Sequence, residues 1–267
     1  MLADYHIHTK MCGHATGELE EYLAVAQKFG LSEIGFSDHM PLYFLPPERM
    51  IPNYAMPEDE IPVYVNEIGR LQEKGGTVRI KLGVEADYIP GCEKKLEKLL
   101  NAHPFDYVIG SVHFIDGWSF DRMEEIDRYG EWDIWELYER YFNLVQQAAL
   151  SGLFDIMAHP DLIKKFNFLP SGDLWPLYEE TARVFKRAGV CLEVNTAGLR
   201  YPVREIYPSP DLLEAAFRNG LPVTLGSDAH IPEQVNAGFT EAVALIKETG
   251  YTEIALFEKR SRVLKKI

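Results

Sequence analysis

Cysteine is scarce in this chain: its 267 residues include three, Cys12, Cys92 and Cys191. Three thiols cannot build a disulfide framework. Cys191, inside the apolar run VCLEV, reads as a small core residue, and Cys12 in MCGH as a reduced bystander beside a histidine. Long hydrophobic runs are missing, so no membrane-spanning helix is expected. No basic segment followed by an apolar one opens the sequence, so a signal peptide is not expected and a cytoplasmic location is. Positive charge is in deficit, with 27 Lys and Arg against 41 Asp and Glu and a net charge of −14. A chain this acidic repels nucleic acid at long range, and neither a nucleic-acid nor a membrane partner is expected. An anionic substrate would need a local cationic site, which bound metal ions can supply. Neither a GxSxG elbow nor a P-loop occurs, and no cysteine is nominated as a nucleophile. The basic tail EKRSRVLKKI reads as a solvated terminal segment.

What is present is an ordinary globular composition, 46% hydrophobic and 25% charged, long enough to bury a sizeable core. Apolar runs predict strands near 2–8, 33–37, 78–86, 106–112, 154–158, 190–195 and 222–227, with a weaker candidate at 253–257. Helical spacing of Leu19, Tyr22, Leu23, Ala26 and Phe29 predicts a helix that Gly30 stops. Further helices are expected near 58–73, 133–151, 173–187, 211–219 and 233–249. The stretch 40–62 contains six prolines and reads as a loop over one end. Strands alternating with helices predict a parallel α/β architecture.

The strands add a sharper constraint. Strands buried on both faces should be continuously apolar, yet several alternate. Val78, Ile80, Leu82 and Val84 oppose Arg79, Lys81, Gly83 and Glu85. Val190, Leu192 and Val194 oppose Cys191, Glu193 and Asn195. Tyr5 and Ile7 oppose Asp4, His6 and His8. One parity should pack under helices while the other faces something polar, as in a closed barrel with a charged site in its lumen.

Seven of the eight histidines fall at one topological level. His6 and His8 end the first predicted strand, and His14 follows in its loop. His39, His113 and His159 end the second, fourth and fifth strands, and His230 follows the seventh. Only His103 precedes a strand, and no function is assigned to it. Glu85 ends the third strand and Asp228 the seventh. The C-terminal strand ends of a barrel open on one face, where its sites are built. A single histidine there is usually structural; the recurrence argues for a shared purpose. Nitrogen and oxygen donors without clustered thiolates suit zinc, manganese or iron, and the sequence does not choose among them.

The ordered set HIHT, CGHA, SDH, GVEAD, GSVH, AHPD and GSDAH resembles the polymerase-and-histidinol-phosphatase (PHP) family of metal-dependent phosphoesterases. The resemblance implies a distorted seven-stranded (β/α) barrel of TIM-like type, here one domain over 1–267, with two or three divalent metals. It implies one ion held by His6, His8, Glu85 and Asp228. Glu85 would bridge to a second, held also by His113 and His159. A third would fall to His14, His39 and His230. The segments TKMCGHA, FDYVIGSVHF and EVNTAGLRYP resemble the branch that acts on L-histidinol phosphate in histidine biosynthesis.

Clustered cations lower the pKa of bound water towards about 7. The expected reaction is therefore attack on phosphorus by a metal-activated bridging hydroxide, with Asp228 or His230 as proton shuttle. A small-molecule phosphate ester needs cationic partners. Arg200, with its bidentate fork, leads, followed by Lys164 and Lys165. Asp87, Asp116 and Asp161 are candidates for a substrate amine, and Trp118 or Phe120 for a pocket cap. Asn195, Ser111 and Ser227 are candidates for orienting the ligands. The alternatives are a relative acting on nucleotide or sugar phosphates, an amide or lactone hydrolase on a related barrel, and a non-catalytic metal-binding protein. Glu85 in the bridging position argues against the amide class, which often bridges with a modified lysine.

Overall fold

Alternating strands and helices do wind into a parallel sheet. The computed structural model describes residues 2–267, so Met1 of the expected 1–267 domain lies outside the described residues. The sheet strands are β1 (Ala3–Asp4), β2 (Glu33–Phe36), β3 (Arg79–Asp87) and β4 (Tyr107–Ser111). A small antiparallel pair follows, β5 (Phe114–Ile115) and β6 (Trp118–Ser119). The sheet resumes with β7 (Ile156–Met157), β8 (Cys191–Asn195) and β9 (Val223–Gly226). Its order is β1-β2-β3-β4-β7-β8-β9, and all six pairings are parallel. The two edges then meet: Tyr5 N donates to Leu225 O at 3.1 Å, and Ile7 bridges Ala229 in parallel. The sheet is thus a nearly closed seven-stranded barrel of the expected TIM-like type.

The helices are α1 (Leu19–Lys28), α2 (Ile61–Lys74), α3 (Glu93–Asn101), α4 (Ile134–Leu150), α5 (Trp175–Ala188), α6 (Pro210–Arg218) and α7 (Phe239–Thr249). Their boundaries follow local chemistry. Asp133 caps α4 by accepting from Trp135 N at 2.9 Å and Glu136 N at 3.1 Å. Gly189 ends α5 in the left-handed conformation, at φ 76°. α3 escapes the periodicity reading because three buried leucines, Leu96, Leu99 and Leu100, are its whole apolar face in EKKLEKLLN. α7 starts later than expected because Gly238, at φ 75°, separates it from a short 3-10 turn at Pro232–Gln234.

Two sequence expectations need correction. The predicted strand 2–8 keeps regular pairing only over Ala3–Asp4. Tyr5 does not pack under a helix: its ring lies against that of Tyr107, tilted by 43° with centroids 4.9 Å apart, and its hydroxyl donates to Glu33. Tyr107 in turn covers Gly83, where a Cβ would approach its Oη to 2.6 Å. Gly83 and Glu85 share a face of β3, so aromatic rings fill the lumen beneath the charged site. The weaker strand candidate exists, but outside the barrel. β10 (Glu253–Glu258) pairs antiparallel with β11 (Ser261–Lys266). Phe257 N donates to Tyr5 Oη at 3.1 Å, which seats this hairpin beneath the aromatic plug. The basic tail, expected to be solvated, is a strand of exposed side chains.

Candidate metal centre

Glu85, near the C-terminal end of β3, has 1% of its surface exposed and is the hub of the rim. Its Oε2 lies 3.3 Å from His6 Nε2, 3.5 Å from His8 Nε2 and 2.9 Å from His39 Nδ1. Its Oε1 lies 3.1 Å from His159 Nε2 and 3.7 Å from His113 Nε2. Asp228 Oδ1 lies 3.2 Å from His8 Nε2 and 3.8 Å from His6 Nε2. His14 and His230 meet at 2.9 Å between their Nε2 atoms. The His39 ring centroid is 4.4 Å from that of His8 and 5.4 Å from that of His14, between the two groups. Residues from six strand ends and one loop therefore come together.

Two of these residues stand on unusual backbone. His159 has φ 23° and Asp228 φ 53°, in the left-handed region that side chains seldom adopt. Such conformations persist where the surroundings enforce them and cluster at functional sites.

The electrostatics of the rim are divided. Burial alone would depress His6, but the carboxylates of Glu193, Glu85 and Asp228 hold its pKa well above the usual imidazole value. His113 is likewise pushed up to about 10, because Asp87 outweighs burial. Burial and the neighbouring His230 and His39 hold His8 well below the usual value. Burial and His39 lower His14, and burial pushes His230 down to about 4. Glu85 and Asp228 stay well below the carboxylate range despite burial, because imidazoles surround them. His8, His14 and His230 are thus neutral imidazoles beside ionised carboxylates, the donor forms a cation requires, whereas His6 and His113 must give up a proton to bind one.

Unsatisfied atoms mark the same place. His6 Nε2, His8 Nε2 and Glu85 Oε2 are buried and have no hydrogen-bond partner among the described residues. Buried polar atoms left so are costly, and a cation among them would satisfy all three. The sets His6–His8–Glu85, His6–His159–Asp228 and His8–His39–His230 each bring three donor atoms within 4.8 Å of one another. These clusters can hold metal ions. Cys12 also lies within that reach of His14 and His230, with its buried thiol pushed up to about 12 by burial.

Above the rim lies a cavity of about 630 Å³. His14, His39, Glu85, His113, His159, Asp228 and His230 line its floor, and Arg200 and Lys165 its wall. Tyr54, from the proline-rich loop, joins them. Arg200 Nη2 donates to Ser227 O at 2.8 Å and Asp228 O at 2.9 Å. Lys165 Nζ lies 3.1 Å from Asp121 and 4.3 Å from the centre of the Tyr201 ring.

Lys164 does not join the cavity wall. Its buried ammonium pairs with Asp161 at 2.9 Å and Glu205 at 2.8 Å and donates to Ile206 O. The adjacent lysines point apart because they sit on one 3-10 turn. The three acids considered for a substrate amine are also engaged elsewhere. Asp87 accepts from His113, Asp161 holds Lys164, and Asp116 pairs with Arg140 near the surface. Trp118 and Phe120 are buried among Tyr129, Trp132 and Tyr141 and cap nothing. Asn195 donates to Glu193 at 3.0 Å, whereas Ser111 Oγ and Ser227 Oγ find no partner among the described residues.

The sequence reading assigned no role to four polar residues here. Asp38 accepts from Thr9 N and Oγ1, Asp121 holds Lys165, and Arg122 lines the cavity. Glu193 contacts His6, and its place on the polar parity of VCLEV was the available signal.

Fold and site together define a class: a parallel α/β barrel whose rim carries side chains able to hold metal ions. The family model described as PHP domain matches residues 4–197. A protein named probable histidinol-phosphatase from Deinococcus radiodurans is 44% identical over 93% of this chain and 94% of its own. The histidinol-phosphatase of Bacillus subtilis is 29% identical over 85% of this chain and 92% of its own. The crystal structure of histidinol phosphate phosphatase from Lactococcus lactis, complexed with zinc, L-histidinol and phosphate, superposes with a TM-score of 0.78. It is 25% identical, covering 98% of each chain. A Listeria monocytogenes structure matches the fold with a TM-score of 0.80 at 24% identity, over 90% of this chain and 99% of its own. The chain belongs to the PHP domain family.

Proposed function

We propose that this protein is a metal-dependent phosphomonoesterase that hydrolyses L-histidinol phosphate to L-histidinol and phosphate in histidine biosynthesis. One observation carries the reading: five imidazoles converge on the two oxygens of buried Glu85, at the floor of a cavity sized for a small ligand. The names of the full-length relatives, and the histidinol and phosphate in the Lactococcus complex, supply the substrate.

In this reading His6, His8, Glu85 and Asp228 hold one ion, Glu85, His113 and His159 a second, and His14, His39 and His230 a third. Such ions supply Lewis acidity for phosphoryl oxygens and lower the pKa of water. Zinc is the first candidate, since the Lactococcus complex contains it, with manganese and iron next. Arg200 and Lys165 bind the phosphate dianion, and Asp228 or His230 moves the proton. The single barrel domain works in the cytoplasm; no helix among the described residues is long and apolar enough to cross a membrane.

The test is a panel of phosphomonoesters given to enzyme reconstituted with zinc, manganese or iron. Histidinol phosphate should exceed nucleotide and sugar monophosphates in kcat/KM by orders of magnitude. Equal turnover of a nucleotide monophosphate would replace the substrate assignment with a broader phosphoesterase. Bound metal without hydrolysis would remove the activity altogether.

A further inference from the structure

Glu193 stands in β8, 1% exposed, and among the described residues no Lys or Arg pairs with it. A buried carboxylate is costly unless hydrogen-bond donors surround it. Three do. Its Oε1 lies 2.7 Å from His6 Nδ1. Its Oε2 accepts from His159 N at 2.8 Å and from Asn195 Nδ2 at 3.0 Å. His159 follows β7 on one side of β8, whereas His6 follows β1, which lies beyond β9 on the other side. The Glu193 side chain therefore has to cross β9, and Gly226 is where it does. A Cβ at Gly226 would overlap Glu193 Oε1 and approach His6 Cβ to 2.7 Å. The missing side chain in β9 opens the passage.

We propose that Glu193 is a positioning residue that ties His6 and His159, which belong to two different ion positions, into one unit; this rests on the metal-centre reading above. Its hold on Nδ1–H turns His6 so that Nε2 faces Glu85. Its hold on the His159 amide keeps that residue at φ 23°, with the ring turned to the other Glu85 oxygen. Outer carboxylates of this kind fix the orientation of ligand histidines, and their loss costs about 10–100-fold in metal affinity or activity.

The test uses the full chain, with Glu193→Gln, Glu193→Ala and, as an independent block of the passage, Gly226→Ala. Proton NMR of histidine-labelled protein should show a downfield, exchange-protected Nδ1–H of His6, assigned by its absence in His6→Asn. That signal should be present in zinc-loaded and in metal-stripped wild type and lost in Glu193→Ala and Gly226→Ala. Zinc retention against a competing chelator should weaken about 10–100-fold in all three variants, and kcat should fall with KM changed less than twofold. Glu193→Gln, isosteric and able to accept from only part of the donor set, serves as the reading if the alanine variants do not fold. The proposal is overturned if the signal survives in Glu193→Ala, or if folded Glu193→Gln retains zinc within twofold of wild type. Should wild type bind no zinc, the metal-centre reading fails, while the Nδ1–H signal still decides whether Glu193 holds His6.

Discussion

The Nε2 atoms of His14 and His230 lie 2.9 Å apart, although 216 positions separate them in the chain. In two neutral imidazoles one of these nitrogens can donate to the other, or both can turn a lone pair towards a shared ion. Burial and neighbouring imidazoles keep both rings poor bases, which favours the lone-pair forms. His14→Ala and His230→Ala should each lower bound metal by about one equivalent per chain. The double variant should lose no more than either single one, because the proposed assignment gives both histidines the same ion. Elemental analysis of desalted protein gives the answer, and additive losses would separate the two histidines into different positions.

Glu85 should behave differently. Its two oxygens face different imidazoles, so on the proposed assignment Glu85→Ala removes a partner common to two ion positions. Metal content should fall by more than one equivalent, and kcat by at least about a thousandfold. Loss of a single equivalent with near-normal turnover would deny Glu85 its bridging place.

The adjacent lysines give a contrast between stability and binding. Lys164 is buried against Asp161, which is itself 0% exposed, so Lys164→Met strands a buried carboxylate. Breaking a buried pair in this way costs about 3–5 kcal/mol. The melting temperature should drop steeply, while KM of the protein that remains folded stays near wild type. Lys165→Met should instead raise KM about tenfold, since its ammonium borders the cavity. Thermal melts and steady-state kinetics on both variants decide the matter, and a KM effect confined to Lys164 would reverse the assignment.

Some of this was legible in the residues themselves. The barrel follows from alternating parity in strands separated by helical spacing, and the rim from histidines recurring at strand ends. Both signals are local and periodic. The orientation of each cation was not legible, because Lys164 and Lys165 differ only by their phase on one turn, which tertiary packing sets. Glu193 was visible as a carboxylate on a polar parity, but its reach to His6 depends on β1 closing against β9 and on Gly226, a relationship no local pattern encodes. Tyr5 illustrates the same limit: strict alternation assigns it to the helix side, yet the chain leaves regular pairing after Asp4 and the ring turns inward.

The aromatic plug can be tested separately from the chemistry. A methyl group at Gly83 would meet the Tyr107 ring, whose hydroxyl donates to Tyr5 O at 2.7 Å. Overpacking of this kind typically costs about 1–3 kcal/mol. Gly83→Ala should lower the melting temperature by several degrees, with metal content per folded chain unchanged. An unchanged melting temperature would mean that Tyr107 can move aside.

Arg200 combines two tasks, and its variants should separate them. The guanidinium donates to Ser227 O and Asp228 O, bracing the left-handed turn that presents Asp228, and it also borders the cavity. Lysine at this position keeps a positive charge but loses the planar fork, so it cannot brace two carbonyls and chelate phosphate as well. Hydrogen bonds to charged groups are worth about 1.5–3 kcal/mol, which corresponds to a fall in kcat/KM of about tenfold to a hundredfold. Arg200→Ala should reach the upper end of that range and raise KM, because both the charge and the brace are gone. Arg200→Lys should recover KM in part while kcat stays low, since the turn bearing Asp228 remains unbraced. Steady-state kinetics with inorganic phosphate as a competitive probe distinguish the two effects. If Arg200→Lys restores kcat as fully as KM, the contact with the turn contributes nothing to catalysis and Arg200 acts through its charge alone.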